Sequence, residues 1–331
     1  MTSMLAGDQG LAEVEALMQR LAVGGSHDHA ATIVLDHLAS GGKRLRARLG
    51  LAAAEALGKK TSDAIGWAAA CEILHNATLV HDDLQDGDRV RRGRPTTWVT
   101  FGSAQAINGG DLLFQMPYAA ISTLAADDAV KWRLANILCR QASQVIRGQI
   151  DELEMTTRMD TTWPIYDQAI IGKTSALFEL PVEGAAVLCG ATDAEAAKLV
   201  SPFRVLGMLF QMQDDVLDLF ADKGRESRGS DVREGKVSAL VVEHVTRYPN
   251  ERDWLVGILK TPRDQTTQAM VDEVIERFAK GGALRGVCER IDKESSRAVS
   301  APELEGTPKL ARLMSELVKV IVEPIAAVMK G

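Results

Sequence analysis

Apolar residues recur at every third or fourth position along almost all of this chain, and no useful length of alternating apolar and polar residues interrupts them. That period buries one stripe of a helix, whereas a half-buried strand needs period two, so packed helices are expected throughout. The segments Leu11 to Leu21, Ala30 to Leu38 and Leu45 to Leu57 read as amphipathic helices, with Gly41-Gly42 breaking the second from the third. Longer helices are expected over Asp63 to Leu84, Ala104 to Ala125, Ala129 to Thr156, Thr174 to Leu188 and Ala194 to Phe220. Two polar stretches, Gly87 to Pro95 and Ala221 to Gly235, read as loops, the second followed by several C-terminal helices. With no repeat, linker or shift in composition, residues 1–331 are expected to form a single all-α domain.

Composition narrows the function. A formal net charge of −7 argues against a dedicated nucleic-acid binder, which would carry a basic face. No run of apolar residues approaches the ~18 needed to span a bilayer, and the N-terminal stretch has no basic region ahead of an apolar one, so neither membrane insertion nor secretion is expected. Cys71, Cys139, Cys189 and Cys288 form no CxxC pair and sit among aliphatic residues; buried thiols in a cytoplasmic protein are the expectation.

Two acidic clusters close two apolar helices. Asp82-Asp83-Leu84-Gln85-Asp86 follows CEILHNATLVH, and Asp214-Asp215-Val216-Leu217-Asp218 follows FRVLGMLFQMQ, about 130 residues later. Asp82 and Asp86 share a helix face at i,i+4, where like charges repel by a few tenths of a kcal/mol. A divalent cation reverses that sign, and magnesium favours carboxylate oxygens together with retained water. One such cluster alone reads as a solvated helix end; the duplication points to carboxylates that share metal ions across a cavity. An EF-hand is excluded, because Leu84 and Gly93 fall where calcium ligands belong.

The cations indicate what such metals would hold. Arg89, Arg91, Arg92 and Arg94 follow the first cluster; Lys43, Arg44 and Arg46 follow Gly41-Gly42; Lys173 and Thr174 lie in GKTSALFELP, and Lys236 in SDVREGKVS. Arginine forks and lysine point charges beside glycine-rich breaks suit a diphosphate bridged to carboxylates by Mg²⁺. GKT here lacks the upstream glycine and strand of a nucleotide-binding P-loop.

These stretches resemble the trans-isoprenyl (polyprenyl) diphosphate synthases, in particular the geranylgeranyl diphosphate synthase type. The resemblance rests on GGKRLRARL (41–49), LHNATLVHDDLQDGDRVRRGRPT (74–96), GGDLLF (109–114), GQIDELE (148–154), GKTSALFELP (172–181), FQMQDDVLDLF (210–220) and GSDVREGKVS (229–238), in the family's order. It implies a homodimer of all-α subunits, each a large helical bundle with a central cavity (the isoprenoid synthase type I fold). It also implies about three Mg²⁺ and two substrates, isopentenyl diphosphate and an allylic diphosphate. Asp82, Asp86 and Asp214 would be direct metal ligands, with Asp83, Asp215 and Asp218 in support. Arg91, Lys173, Thr174, Gln211 and Lys236 would hold the allylic diphosphate, and Lys43, Arg46, His75 and Arg92 isopentenyl diphosphate. His75 lies seven residues before Asp82, two turns along one face, which agrees.

Four positions depart from the family pattern: Ala47 replaces proline, Glu152 aspartate, Ser238 threonine, and Ser227 a lysine whose role Arg225 or Arg228 would have to take. Chain length is expected to depend on Ala77 and Thr78, one turn before Asp82, where small residues imply C20 or longer products. Phe114, Met116 and Tyr118 are candidates for the tunnel floor. A class I terpene cyclase and a non-catalytic subunit of the same fold are the rival readings.

Overall fold

The computed structural model describes residues 10–25, 28–220 and 228–329. The helices run α1 (Leu11–Val23), α2 (His29–Leu38), α3 (Leu45–Ala56) and α4 (Ile65–Gln85). A hairpin of β1 (Val90–Arg91) and β2 (Arg94–Pro95) follows, then α5 (Thr97–Phe101), α6 (Ser103–Ser122), α7 (Asp128–Arg158), α8 (Trp163–Ile170), α9 (Ala176–Leu188), α10 (Asp193–Val200) and α11 (Phe203–Phe220). The remainder is α12 (Ser230–Arg233), α13 (Ala239–Arg247), α14 (Arg252–Leu259), α15 (Gln268–Lys280), α16 (Ala283–Val299), α17 (Pro308–Val322) and α18 (Ala326–Met329). The fold is all-α, as expected, and among the described residues the hairpin is the only sheet. No helix among them is long and apolar enough to cross a membrane.

The chain divides into two compact units. The first comprises Met1–Ala142, Leu177–Ser201 and Glu303–Leu313. Its core helix is α4, whose Trp67, Ala70, Ile73, Leu74 and Ala77 are buried. The small residues of α4 bring neighbours close: a Cβ on Gly66 would lie 2.7 Å from the Ala120 carbonyl of α6. Trp67 donates its indole N–H to the Pro181 carbonyl of α9 at 3.0 Å, which satisfies the ring's polar atom. Truncating Trp67 would cost about 3–5 kcal/mol. The Asp86 N–H bonds the Asp82 carbonyl at 2.8 Å as the last turn of α4, and Gly87, at φ +69°, reverses the chain there.

The second unit comprises Ser143–Ala176, Pro202–Pro302 and Met314–Gly331. Here α11 packs on α13 and α16 and on a π-turn, Ile171–Ser175, which precedes α9. Gly172 and Gly148 make that packing possible: a Cβ on Gly172 would lie 2.7 Å from the Gly148 Cα of α7. Lys173 and Thr174 are therefore carried by a turn seated directly on α7.

Four expectations need correction, the first being that Ala221 to Gly235 is all loop: Ser230–Arg233 is α12, and residues 221–227 lie outside those described. The stretch Gly87 to Pro95 is not all loop, because Val90 and Arg91 pair with Pro95 and Arg94, a ladder too short to leave an alternating pattern. Ala194 to Phe220 is two helices, broken at Ser201-Pro202 because proline has no N–H to continue the ladder. The cysteines are all thiols, but only Cys71 and Cys288 are buried; Cys139 is exposed on α7 and Cys189 is partly exposed.

Candidate active site

In the first unit the hairpin folds Arg91 back over the end of α4. Arg91 Nε lies 2.6 Å and Nη2 2.5 Å from the same oxygen, Asp83 Oδ1. The hairpin is held there by Thr96 Oγ1 and Trp98 Nε1, each donating to the Asp88 carbonyl at 2.7 Å. Burial pushes the Asp83 carboxyl up while Arg91 pulls it back; burial also works against the Arg91 charge, and Asp83 more than offsets it. We take the pair as charged, because two donors converge on one oxygen. Asp82 and Asp86, one turn apart, remain partly exposed at the negative end of the helix dipole.

Arg92, at φ +52°, donates to the Gly41 carbonyl, and its guanidinium lies against Gly42, where a Cβ would collide with it. Gly42, at φ +130°, therefore has two reasons to be glycine. Arg44 braces the same turn by donating to the Leu38 carbonyl at 3.0 Å and to Glu15 at 3.1 Å. Lys43 is exposed between them. Arg46 is buried with its guanidinium 4.8 Å from the Phe178 ring centroid, and burial lowers its pKa to about 10 against the pull of Glu72. His75 is held well below the usual imidazole range by burial and by Arg46, Arg92 and Arg91, so it is neutral at pH 7.

Three of the four expected isopentenyl diphosphate residues, Arg46, His75 and Arg92, thus share one electrostatic neighbourhood. Two residues there were not singled out from the sequence. Glu72 caps α3 by accepting the Ala47 N–H at 3.1 Å. His37, buried beside Arg91, lines a cavity barely large enough for one water, with His37 Nε2, Ser40 Oγ and Asp83 Oδ2 as its unpartnered buried atoms. Glu72 carried a signal, a lone charge in an apolar helix three residues before His75; His37 carried none.

In the second unit the acidic cluster closes α11. Asp215 Oδ2 accepts from the Tyr166 hydroxyl at 2.8 Å and the Ala239 N–H at 2.7 Å, and Oδ1 from Gln211 Nε2 at 2.9 Å. Burial lifts the Asp215 carboxyl to about 6, those three bonds opposing it and Asp214 adding to it. Asp218 is likewise turned inward, accepting from the Ser230 hydroxyl and, at 3.1 Å, from the Asp231 N–H. Burial holds Asp231 well above the carboxylate range, with Asp218, Asp215 and Asp214 adding to the push and Lys236 opposing it. Asp214 is the partly exposed member of the three. Lys173 donates to Glu152, Thr174 Oγ1 donates to Gln211 Oε1 at 3.2 Å, and Lys236 pairs with Glu234 at 2.9 Å.

Ala77 and Thr78 are buried on α4, Thr78 donating its hydroxyl to the His75 carbonyl at 2.8 Å. On α6, Phe114 packs its ring 5.5 Å from His81, Met116 is buried, and Tyr118 is 40% exposed beside Cys139. Arg228 is exposed; Arg225 and Ser227 lie outside the described residues. Among the described residues no three carboxylate, imidazole or thiol groups form a ready-made metal cage.

The Polyprenyl synthetase family profile matches residues 28–278. The short chain isoprenyl diphosphate synthase of Methanothermobacter thermautotrophicus is 34% identical over 252 residues, 75% of this chain and 76% of its own. The octaprenyl diphosphate synthase of Haemophilus influenzae is 30% identical over 267 residues, 80% and 79% of the two chains. Of solved structures, a geranylgeranyl pyrophosphate synthase superposes with a TM-score of 0.85 at 26% identity, covering 95% of this chain and 96% of its own. The polyprenyl synthase of Caulobacter crescentus CB15, complexed with calcium and isoprenyl diphosphate, gives 0.83 at 27% identity, covering 95% and 94%. The chain is therefore a helical enzyme of prenyl transfer. It belongs to the polyprenyl synthetase family, the trans-isoprenyl diphosphate synthases.

Proposed function

We propose that this protein condenses isopentenyl diphosphate with an allylic diphosphate, head to tail and in trans, to give a linear polyprenyl diphosphate of C20 or longer. The observation that carries the reading is the convergence of buried Arg46 and exposed Arg92 on neutral His75, on the helix that ends in the Asp82 and Asp86 carboxylates. Relatives that make geranylgeranyl and octaprenyl diphosphates support the C20 floor.

Magnesium fits the donor set. Asp82 and Asp86 stand one turn apart at a helix C-terminus, an arrangement that is unfavourable without a cation. A full protein cage is not required, since magnesium keeps water and takes phosphate oxygens. Asp82, Asp86 and Asp214 would hold about three ions, with Asp83, Asp215 and Asp218 behind them. Bound Mg²⁺ supplies charge neutralisation for the departing diphosphate.

The chain's own residues do the rest. Arg91, Lys173 and Lys236 stabilise negative charge on the allylic diphosphate as its C–O bond breaks, with Thr174 and Gln211 holding it in place. Lys43, Arg46, His75 and Arg92 orient isopentenyl diphosphate so that its double bond attacks the allylic cation. The electron pair of the C–O bond leaves with diphosphate, which then takes the proton lost from the new chain. Neutral His75 neither adds to nor subtracts from the charge of its arginine neighbours, and acts as a hydrogen-bonding group.

We further infer a cytoplasmic homodimer. On α7, Trp132, Ile146, Ile150 and Leu153 recur at helical spacing and are 69, 49, 53 and 41% exposed, an apolar stripe suited to a second copy.

The experiment is incubation of the purified protein with Mg²⁺, isopentenyl diphosphate and dimethylallyl, geranyl or farnesyl diphosphate in turn, with products sized by chromatography. Linear C20 or longer diphosphates are expected. Cyclic hydrocarbons from an allylic substrate alone, or no turnover by folded protein, would overturn the reading.

A further inference from the structure

We propose that Tyr166 is a positioning residue for prenyl transfer, acting through Asp215 to hold the Gln211 amide and the Thr174 hydroxyl in one orientation; this rests on the allylic diphosphate role given to Gln211 and Thr174 above. Tyr166 is 2% exposed and its ring is packed into the second unit. It is therefore placed to act through another residue and not on substrate.

The polarity of the network is fixed by chemistry. An ionised carboxylate only accepts hydrogen bonds, so the Gln211 side chain must turn its nitrogen toward Asp215 Oδ1, 2.9 Å away. Its carbonyl oxygen then points the other way and accepts from Thr174 Oγ1 at 3.2 Å. Asp215 can impose that order only while it stays in place. Two donors hold its second oxygen, the Tyr166 hydroxyl at 2.8 Å and the Ala239 N–H at 2.7 Å. The backbone donor is fixed by the start of α13, so among the described residues the tyrosine is the one side-chain donor on that oxygen.

Tyr166 is itself locked. Trp163, one turn earlier on α8, meets its ring edge-on at a centroid distance of 5.6 Å. Trp163 in turn donates its indole N–H to Glu243 at 3.1 Å and lies beneath Arg290, 3.9 Å from the ring centroid. Arg290 pairs with Asp167 at 2.6 Å, the residue next to the tyrosine. Two elements, α13 and α16, thus clamp the helix that presents the hydroxyl. If the clamp loses that hydroxyl, Asp215 can rotate and the Gln211 amide can flip. A flipped amide would turn its oxygen toward the Asp215 carboxylate and its nitrogen toward Thr174, taking away the acceptor that orients the Thr174 hydroxyl.

The test is Tyr166→Phe, which keeps the ring and deletes one donor. kcat and KM are measured against each substrate, with the unfolding midpoint alongside. We expect kcat/KM for the allylic diphosphate to fall on the order of tenfold, the scale of one lost hydrogen bond to a charged group, with KM for isopentenyl diphosphate within twofold of wild type. Adding Gln211→Leu closes a double-mutant cycle: once Gln211 is gone, removing the tyrosine hydroxyl should cost little more. A Tyr166→Phe protein with a lowered midpoint but unchanged kcat/KM, or with both substrates affected equally, would reduce the tyrosine to core packing and overturn the proposal. Calorimetric titration of inorganic diphosphate with Mg²⁺ separates this from the enzymatic reading. Weaker diphosphate binding by the folded variant than by wild type supports the positioning role even if wild type shows no turnover. Equal binding refutes it.

Discussion

Asp83 gives a single carboxylate oxygen to two donors of Arg91, Nε at 2.6 Å and Nη2 at 2.5 Å, and keeps its other oxygen buried without a partner. Removing one member of such a pair leaves an uncompensated buried charge. Arg91→Leu should therefore destabilise the protein by about 3 kcal/mol and lower turnover by at least about a hundredfold. The double variant with Asp83→Asn should recover much of the unfolding midpoint and none of the activity. Thermal melts and rates on the three proteins check this; joint recovery of both would mean Arg91 is structural only.

Asp82 answers differently because it is partly exposed at the end of α4. Asp82→Ala should abolish turnover with the helical circular dichroism unchanged. In the absence of metal the variant should be as stable as wild type or up to about 1 kcal/mol more so, since a negative charge leaves the negative end of a helix dipole. Mg²⁺ with diphosphate should raise the melting temperature of the wild type and not that of the variant. Near-normal activity in this variant would end the metal model.

His37 ties stability to pH. Burial, with Arg91, Arg92 and Arg44 adding to it and Asn76 opposing, lowers its pKa from 6.5 to about 4. Between those values the unfolded chain binds a proton that the folded protein refuses, so stability falls as pH drops from 6.5 toward 4. The neutral imidazole accounts for about 2 kcal/mol of stability lost between pH 7 and pH 5. His37→Gln has no such proton to take up, and its denaturant midpoint should fall less over that interval. Parallel titration curves for the two proteins would show that His37 is not the group responsible.

Much of this architecture is written locally, which is why it could be read. The helix ends near Asp86 and Phe220, the breaks at Gly41-Gly42 and Gly87, and the two acidic clusters depend on residues within a turn or two of one another. What could not be read depends on distant partners. Whether Asp215 and Asp218 face inward is decided by the Ala239 N–H and by Ser230 and Asp231, which lie beyond the end of α11. The exposure of Cys139 depends on which face of α7 finds a neighbour, and aliphatic residues beside it in sequence do not determine that. Pro202 was concealed because the apolar period continues on both sides of it. Tyr166 lies seven residues before Lys173, on a helix with no charged cluster of its own, and only its hydroxyl's partner reveals it.

Trp132 is 69% exposed and contributes little to the subunit that carries it. Trp132→Glu should leave the unfolding midpoint of the isolated subunit within about 0.5 kcal/mol of wild type. Its effect should appear in sedimentation, converting a dimer to a monomer at micromolar concentration, because a charge in the middle of an apolar interface is not compensated. A wild type that sediments as a monomer, or a variant that remains a dimer, rules out this stripe as the contact.

Ala77 is completely buried on α4, one turn before Asp82 and one residue before Thr78, whose hydroxyl is already committed to the His75 carbonyl. A phenyl ring at this position would block a chain growing along α4, and a methyl group would not. Ala77→Phe should shift the product distribution toward C15 and lower the yield of C20 and longer chains, at an overpacking cost of about 1–3 kcal/mol in stability. The same substitution at Tyr118, 40% exposed, should leave chain length unchanged unless a second subunit covers it. Chromatography of products from both variants, primed with geranyl diphosphate, tests the pair. An unaltered distribution in a folded Ala77→Phe protein would remove this position from the path of the growing chain, leaving Ala77 as a residue that only packs between helices.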